Sequence, residues 1–356
     1  MKIANIIITS ENGGAEQVFI DYAAILKKLG HDVVAVIKQD APYAEDLLKL
    51  GIEPKKITNH LGFHDFVAVK KLRKIFEEEN IDVVFAHTGR AIILARKAIK
   101  KITNKKIFLI GINHSMNVKR SIGCDIILSV NKKIFYKTID AGQSAAKSFV
   151  IANALDLSDA NLTPLHLDLA QKSEISLGII GRLDPTKGFH HVIDALNILK
   201  NSDKKFSLKI AGLGEEEKFL RNKVKQLKLE DRVEFLGWAK DKKEFYDSID
   251  ILLFPSLLET FGLVAIEAMK YRKPIISSDA DGPKEILRDG IDALIFKFGK
   301  NDEATAAQIA EKILQLVGDS NLANNMVQNS FIRLNEKFSY QTLENRLGEI
   351  VGKIQN

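Results

Sequence analysis

Cysteine is almost missing from this 356-residue chain, with Cys124 alone. One thiol excludes an internal disulfide framework and a Cys-rich metal site, which suits a reducing cytoplasm. Long apolar runs are also missing. Nothing approaches 18 consecutive apolar residues, so no segment is expected to span a bilayer. The opening MKIANIIIT passes at once into SENGGAE and reads as a first strand rather than a secretory leader. Several catalytic patterns are absent: there is no GxxxxGK[ST] phosphate loop, no HExxH and no CxxC pair. His190 and His191 are neighbours, and adjacent helical residues do not face one another, so they make a poor metal pair. No metal ligand set is expected.

Hydrophobic residues make up 46% of the chain and charged residues 28%, as in an ordinary soluble globular protein. The length is comfortable for two domains, each with its own core. Charge is unevenly placed. Residues 1–155 hold 24 Lys and Arg against 15 Asp and Glu, whereas 156–356 hold 28 against 31. Basic clusters at Lys70-Lys71-Arg73-Lys74, Lys97 to Lys106, Lys119-Arg120 and Lys132-Lys133 would suit an anionic membrane surface, an anionic acceptor or nucleic acid, or are solvated helix faces.

The most informative stretch is Ile249 to Met269, IDILLFPSLLETFGLVAIEAM. Ile251 to Phe254 form a short apolar strand that Pro255 ends, because Pro has no N–H to give a sheet. Ser256 to Thr260 supply a turn, and Gly262 leads into a helix whose Leu263, Ala265, Ile266, Ala268 and Met269 can pack on the sheet. Glu259 falls in the loop and Glu267 one to two turns into the helix. Ligands of open α/β sheets sit beyond the carboxyl ends of strands, where helix starts aim N–H groups at anions. Carboxylates there can accept from sugar or ribose hydroxyls, or be ordinary surface groups.

Read in order, the first half alternates strands and helices. A strand at 3–9 is followed by Gly13-Gly14 and a helix from Ala15 to Leu29, a turn that lets backbone approach a phosphate. Strands follow at 32–37, near Ile57, and at 82–87, 106–112, 125–130 and 148–151, with helices at 43–50 and 65–79. The strand at 82–87 ends in His87-Thr88-Gly89-Arg90 and that at 106–112 in Asn113-His114. Residues 157–174, with Pro164, are irregular and read as the interdomain connection. The second half repeats the alternation, with strands at 175–180, 206–211, 233–236, 251–254 and 273–277, a loop at Asp281 to Glu285, and largely helical segments at 303–318 and 322–356. Between its first strand and the helix at 190–199 lies Gly181-Arg182-Leu183-Asp184-Pro185-Thr186-Lys187-Gly188. Two cations on such a loop can neutralise a diphosphate, or decorate a charged surface loop. Gly212-Leu213-Gly214 alone is poor evidence for anything, and Trp238 reads equally as core or rim.

PS-x2-ETFGL-x3-EAM around Glu259 and Glu267, together with GR-x4-KG at Gly181 to Gly188, resembles the retaining nucleotide-sugar glycosyltransferases of family 4. GGAEQ is similar to that family's GGAER. Ala152-Asn153-Ala154-Leu155-Asp156 is similar to its PNG-x-D but lacks the Pro, and Asp281-Gly282-Pro283-Lys284-Glu285 to its GG-P-x-E with Asp281 for the first Gly. The resemblance implies an α/β fold of GT-B architecture: two Rossmann-like domains with a donor cleft between them, at 1–160 and 161–340, and a C-terminal helix at 341–356 that packs back on the first domain.

It implies a retaining, metal-independent transfer of a sugar from a UDP- or GDP-linked donor to a glycan or glycolipid acceptor, in cell-envelope glycan synthesis such as that of lipopolysaccharide. Arg182 and Lys187 would hold the diphosphate, Glu259 the sugar hydroxyls, Glu267 the ribose, and His114 would contact the donor sugar. The backbone at Phe261, Gly262 and Leu263 and the loop at Gly13 and Gly14 would complete the donor site. No cofactor beyond the donor substrate and no nucleic acid are expected, and the protein is expected in the cytoplasm with an anionic membrane surface as a further partner. An epimerase or phosphorylase on the same fold, or an inactive basic peripheral-membrane protein, are the competing readings.

Overall fold

The computed structural model describes residues 1–11, 13–160 and 166–355. Contacts divide the chain into a unit of Met1–Leu155 with Phe338–Asn356 and a unit of Asp156–Lys337. Of the connection expected at 157–174, residues 161–165, including Pro164, lie outside the described residues.

The first unit runs β1 (Lys2–Ile7), α1 (Gly14–Lys28), β2 (Asp32–Lys38), α2 (Ala44–Lys49), β3 (Lys55–Ile57), α3 (Phe66–Glu78), β4 (Val83–His87), α4 (Thr88–Ile99), β5 (Phe108–Asn113), β6 (Ile126–Ser129), α5 (Lys132–Asp140) and β7 (Ser148–Val150). Its seven strands are parallel in the order β3-β2-β1-β4-β5-β6-β7. Both faces of such a sheet are covered, so its strands read as nearly continuous apolar runs. Successive side chains still alternate between faces. Ala4, Ile6, Val84 and Ala86 pack with α3 and α4, while Ile3, Val83 and Phe85 pack with α1 on the other side.

The second unit runs β8 (Glu174–Ile180), α6 (Phe189–Leu199), β9 (Lys205–Ala211), α7 (Glu217–Gln226), β10 (Val233–Gly237), α8 (Lys242–Asp247), β11 (Ile251–Phe254), α9 (Leu263–Lys270), β12 (Ile275–Ser278), α10 (Asp281–Ile286), β13 (Leu294–Phe296), α11 (Asp302–Gly318) and α12 (Ser320–Lys337). Its six strands are parallel in the order β10-β9-β8-β11-β12-β13. The segment read as a loop at Asp281 to Glu285 is the helix α10. Pro283 sits in its first turn, where the missing N–H has no helical partner to lose. The described part of 322–356 is two helices, because Phe338 and Ser339 leave the helix and pair with Leu155.

The last helix, α13 (Tyr340–Gln355), belongs to the first unit. Its Leu343, Leu347, Ile350 and Val351 are buried with Ile3, Val18, Tyr22, Ile25 and Leu26. Burying each such side chain stabilises by roughly 1.5–3 kcal/mol. Tyr340 also donates to Asp21 of α1.

Strand order reverses between β1 and β4 in the first sheet and between β8 and β11 in the second, and these are the places where open α/β sheets bind ligands. Gly13-Gly14 follow β1 and His87 ends β4; Gly181 to Gly188 follow β8 and Pro255 to Gly262 follow β11. The segments singled out from the sequence therefore lie at the two switch points.

Asp65 organises the turn before α3. Its buried carboxylate accepts from the N–H of His60 (2.7 Å), Leu61 (3.2 Å) and Ala68 (2.9 Å). Burial opposes its ionisation, but these bonds outweigh burial and hold the carboxyl below its usual range. A depressed carboxyl contributes stability above its unfolded value of 3.8, lost as pH falls through the folded value. Asp65→Ala should destabilise by about 1–2 kcal/mol at pH 7, lowering the melting temperature by roughly 3–6 °C. Scanning calorimetry at pH 7 and pH 3 checks this; an equal difference at both would show that the ionised carboxylate is not the source.

Candidate functional site

In the second unit, two loops at the switch point are laced together by backbone. Thr186 O accepts from Leu257 N at 2.8 Å and from Leu258 N at 3.4 Å. Gly188 adopts φ 66°, and a Cβ there would collide with Pro255 O, so glycine is needed for both the conformation and the approach. Asp184 shapes the loop by accepting from Thr186 N at 3.0 Å and from the Thr186 hydroxyl. Burial opposes ionisation of Asp184, but the Thr186 bonds and the charges of Lys187 and Arg182 outweigh it and hold its carboxyl low. The outer face of this loop rests on the Gly212-Leu213-Gly214 turn, with Leu183 N donating to Leu213 O at 2.9 Å and Glu216 N to Leu183 O at 3.0 Å. The Gly-Leu-Gly turn therefore supports the cationic loop.

The lacing brings Lys187 Nζ to 2.7 Å from Glu259 Oε2, with both side chains less than one-fifth exposed. Glu259 Oε1 accepts from Thr260 N at 3.1 Å. Arg182 stands apart from this pair: its Nε donates to Asp184 Oδ2 at 3.0 Å and its side chain is 70% exposed. Each cation thus has its own carboxylate, which fixes Lys187 more firmly than Arg182. Gly262, at φ 103°, caps α9, and a Cβ there would meet the Phe254 ring at 2.8 Å. Phe261 is buried ahead of it, and Gly282 N donates to Glu259 O at 3.1 Å, so α10 braces the loop from behind.

Glu267 lies within α9 and is buried. Its Oε1 is paired with Lys242 Nζ and its Oε2 accepts from Tyr246 OH at 3.3 Å. Burial, then the Glu267 charge, push the Tyr246 phenol well up, so it stays a donor at neutral pH. Sequence reading passed over Lys242, Tyr246 and helix α8, which carries no motif. Trp238 is 52% exposed, which makes it a rim residue.

In the first unit, Gly13 precedes α1 and Gly14 is its first residue. Glu16 accepts from Gly13 N at 3.1 Å and from Thr9 Oγ1 at 2.6 Å, so a buried carboxylate already complements the helix start. His114 follows β5 and does not stand alone. Its Nε2 is 3.1 Å from His87 Nδ1, and His87 Nε2 is 3.0 Å from Asn5 Oδ1. Asn5 Nδ2 donates to Phe19 O at 2.8 Å. That carbonyl can only accept, so the amide orientation is fixed and every proton follows from it. Asn5 Oδ1 accepts, His87 Nε2 donates, His87 Nδ1 accepts, and His114 donates from Nε2. A neutral His114 therefore presents Nδ1 as an acceptor. Asn5 interrupts the apolar IANIII run and His87 ends β4, signals that point to this chain of bonds. Thr88, next to His87, takes φ 73°, an unusual conformation for a β-branched residue.

Burial lowers the His114 pKa to about 4 and the His87 pKa well below its ordinary value. Unfolded histidine takes up its proton near 6.5, so between about 6.5 and 4 the unfolded chain binds more protons and stability falls as pH falls. His114→Gln should flatten this acid limb while leaving the melting temperature at pH 8 nearly unchanged. Melts from pH 8 to 4.5 check it, and an unchanged slope would show that His114 is not held neutral.

Comparison with known proteins adds to this geometry. The family described as Glycosyltransferase Family 4 matches residues 12–159, and that described as Glycosyl transferases group 1 matches 168–333. The lipopolysaccharide core biosynthesis glycosyltransferase LpsE of Rhizobium meliloti is 24% identical over 336 residues, covering 94% of each chain. The GalNAc-alpha-(1->4)-GalNAc-alpha-(1->3)-diNAcBac-PP-undecaprenol alpha-1,4-N-acetyl-D-galactosaminyltransferase of Campylobacter jejuni is 26% identical over 379 aligned positions, covering 100% of this chain and 99% of the relative. The crystal structure of Anabaena Alr3699/HepE in complex with UDP-glucose superposes with a TM-score of 0.84 at 22% identity, covering 99% of this chain and 100% of that one. With a family match on each of its two parallel α/β units, the chain belongs to the group 1, family 4 glycosyltransferases of GT-B fold.

Proposed function

We propose that the protein is a retaining, metal-independent glycosyltransferase that moves a sugar from a UDP- or GDP-linked donor to a glycan or lipid-linked acceptor in bacterial cell-envelope synthesis. The observation that carries the reading is the Lys187–Glu259 pair, held at the second unit's switch point beside the start of α9. When the bond from the sugar's anomeric carbon to the diphosphate breaks, negative charge grows on the leaving phosphate. Lys187, Arg182 and the backbone N–H groups at Phe261 to Leu263 would stabilise it. Glu259, beside Lys187, would accept from the transferred sugar's hydroxyls, and Glu267 from the ribose, with Lys242 and Tyr246 holding its carboxylate in place. The bare Nδ1 of His114 suits a hydroxyl donor on the sugar, and Gly13 and Gly14 suit close approach of the diphosphate. The Anabaena complexes with UDP and UDP-glucose support a uridine donor, and the Rhizobium and Campylobacter relatives support an envelope-glycan acceptor.

A thermal-shift screen of nucleotide sugars identifies the donor, and NMR of the product then reads the anomeric configuration. Retention supports the proposal; inversion, or epimerisation of the donor without transfer, overturns it. With donor and acceptor in hand, Arg182→Ala and Lys187→Ala should each lower kcat by roughly 10²-fold. Lys187→Ala should show the larger loss because its position is fixed by burial and pairing. Rates within a few-fold of the parent in both would remove the diphosphate assignment.

The membrane part of the proposal rests on α3. Phe66 (71% exposed) and Val67 (67%) stand at its outer start, next to Leu61 (67%). Lys70, Lys71 and Lys74 follow at helical spacing on the same exposed side. The basic cluster is weaker than its composition suggests, because Arg73 and Lys74 pair with Glu77 and Glu78. Apolar tips with lysines behind them fit an anionic lipid surface, where each lysine adds about 1 kcal/mol within a Debye length of about 8 Å. Among the described residues no helix is long and apolar enough to cross a membrane. Co-sedimentation with vesicles should be stronger for anionic than for neutral lipid and should fall in Phe66→Ser/Val67→Ser and in Lys70→Gln/Lys71→Gln. Equal sedimentation with both lipids would leave a soluble acceptor as the better reading.

A further inference from the structure

The start of α6 carries two imidazoles that the donor site does not use. The structure corrects the expectation that His190 and His191 diverge: their ring centroids are 4.0 Å apart with planes at 44°. They occupy the first turn of α6, where both rings can lean toward the helix start, and the start of α11 packs beside it. Asp302, the first residue of α11, places Oδ1 3.8 Å from His191 Nδ1. One ligand atom from each of His190, His191 and Asp302 lies within 4.8 Å of the others.

His191 supplies an independent observation. It is only 4% exposed, yet its Nδ1 makes no hydrogen bond. Buried polar atoms without a partner are uncommon and call for an explanation. Burial lowers the pKa of both rings, so each has a lone pair available at neutral pH. The charged groups around them are Asp302, Asp194, Glu216 and Lys223, of which Asp194 and Lys223 pair with each other at 2.8 Å. The two helix starts add partial positive charge, which the Asp302 carboxylate offsets.

We infer that His190, His191 and Asp302 bind a divalent transition-metal ion, with zinc the ion that two imidazoles and one carboxylate suit best and water completing the coordination. Ligands around tetrahedral zinc stand about 3.4 Å apart, so small side-chain rotations suffice to close the set. The site would tie the starts of α6 and α11 together behind the cationic loop, since His191 N donates to Gly188 O at 3.1 Å and Gly188 follows Lys187. It would therefore hold the loop in place and take no part in sugar transfer.

The test uses the full chain, stripped with a chelator and titrated with Zn²⁺ by calorimetry and with Co²⁺ by visible absorption. The expected result is one ion per chain and a higher melting temperature, with a Co²⁺ band typical of low coordination number. His190→Gln and Asp302→Asn should each weaken binding by about tenfold or more, while His60→Gln and His64→Gln, both exposed, should not. His191 is buried and its replacement can unfold the region, so the two more exposed ligands decide the matter. Absence of stoichiometric binding at micromolar zinc, or equal affinity in all variants, overturns the inference. Nucleotide binding measured on the same samples tests the donor site separately.

Discussion

The second unit depends on how closely two loop backbones can approach at its switch point. Gly188 lets the loop after β8 lie against Pro255, and Thr186 then receives two N–H groups from the loop after β11. This contact seats Lys187 against Glu259, and the brace from Gly282 and the support from Leu213 hold both sides of the arrangement. A lysine on a loose loop would lose side-chain entropy each time it met an anion. Here much of that loss is already incurred in folding.

The switch-point positions were legible because they depend on residues that do one thing well. Pro255 ends a strand, Gly262 starts a helix from an αL conformation, and the Arg182 and Lys187 loop is bounded by glycines. The sheets were legible because parallel strands buried on both faces leave apolar runs such as Ile251 to Phe254. Short elements were harder. Helix α10 was read as a loop because Asp-Gly-Pro usually signals a turn, and β13 and α8 are too brief for periodicity to register. Partners distant in sequence were hidden altogether. Nothing in Lys242 indicates that it meets Glu267, 25 residues on, and adjacency was a poor guide to how His190 and His191 lie once α11 packs beside them.

The first unit shows how a buried polar chain can carry orientation. Asn5 and His87 take positions on the α1-facing side of β1 and β4, where their neighbours Ile3, Val83 and Phe85 are core residues. Replacing apolar groups there with hydrogen-bonding ones brings little net stability. What it does give is a single proton arrangement, anchored on the Phe19 carbonyl and ending at His114.

The return of α13 to the first unit has a consequence for the order in which the protein can form. Residues 156–337 are a continuous segment, but the first unit needs Leu343, Leu347, Ile350 and Val351 to cover Ile3, Val18 and Tyr22. A ribosome makes those residues only after the whole of the second unit. The chain of the second unit is therefore complete before the apolar face of the first can be covered. A change in α13 would thus be felt at β1 and α1, more than 300 residues earlier in the sequence.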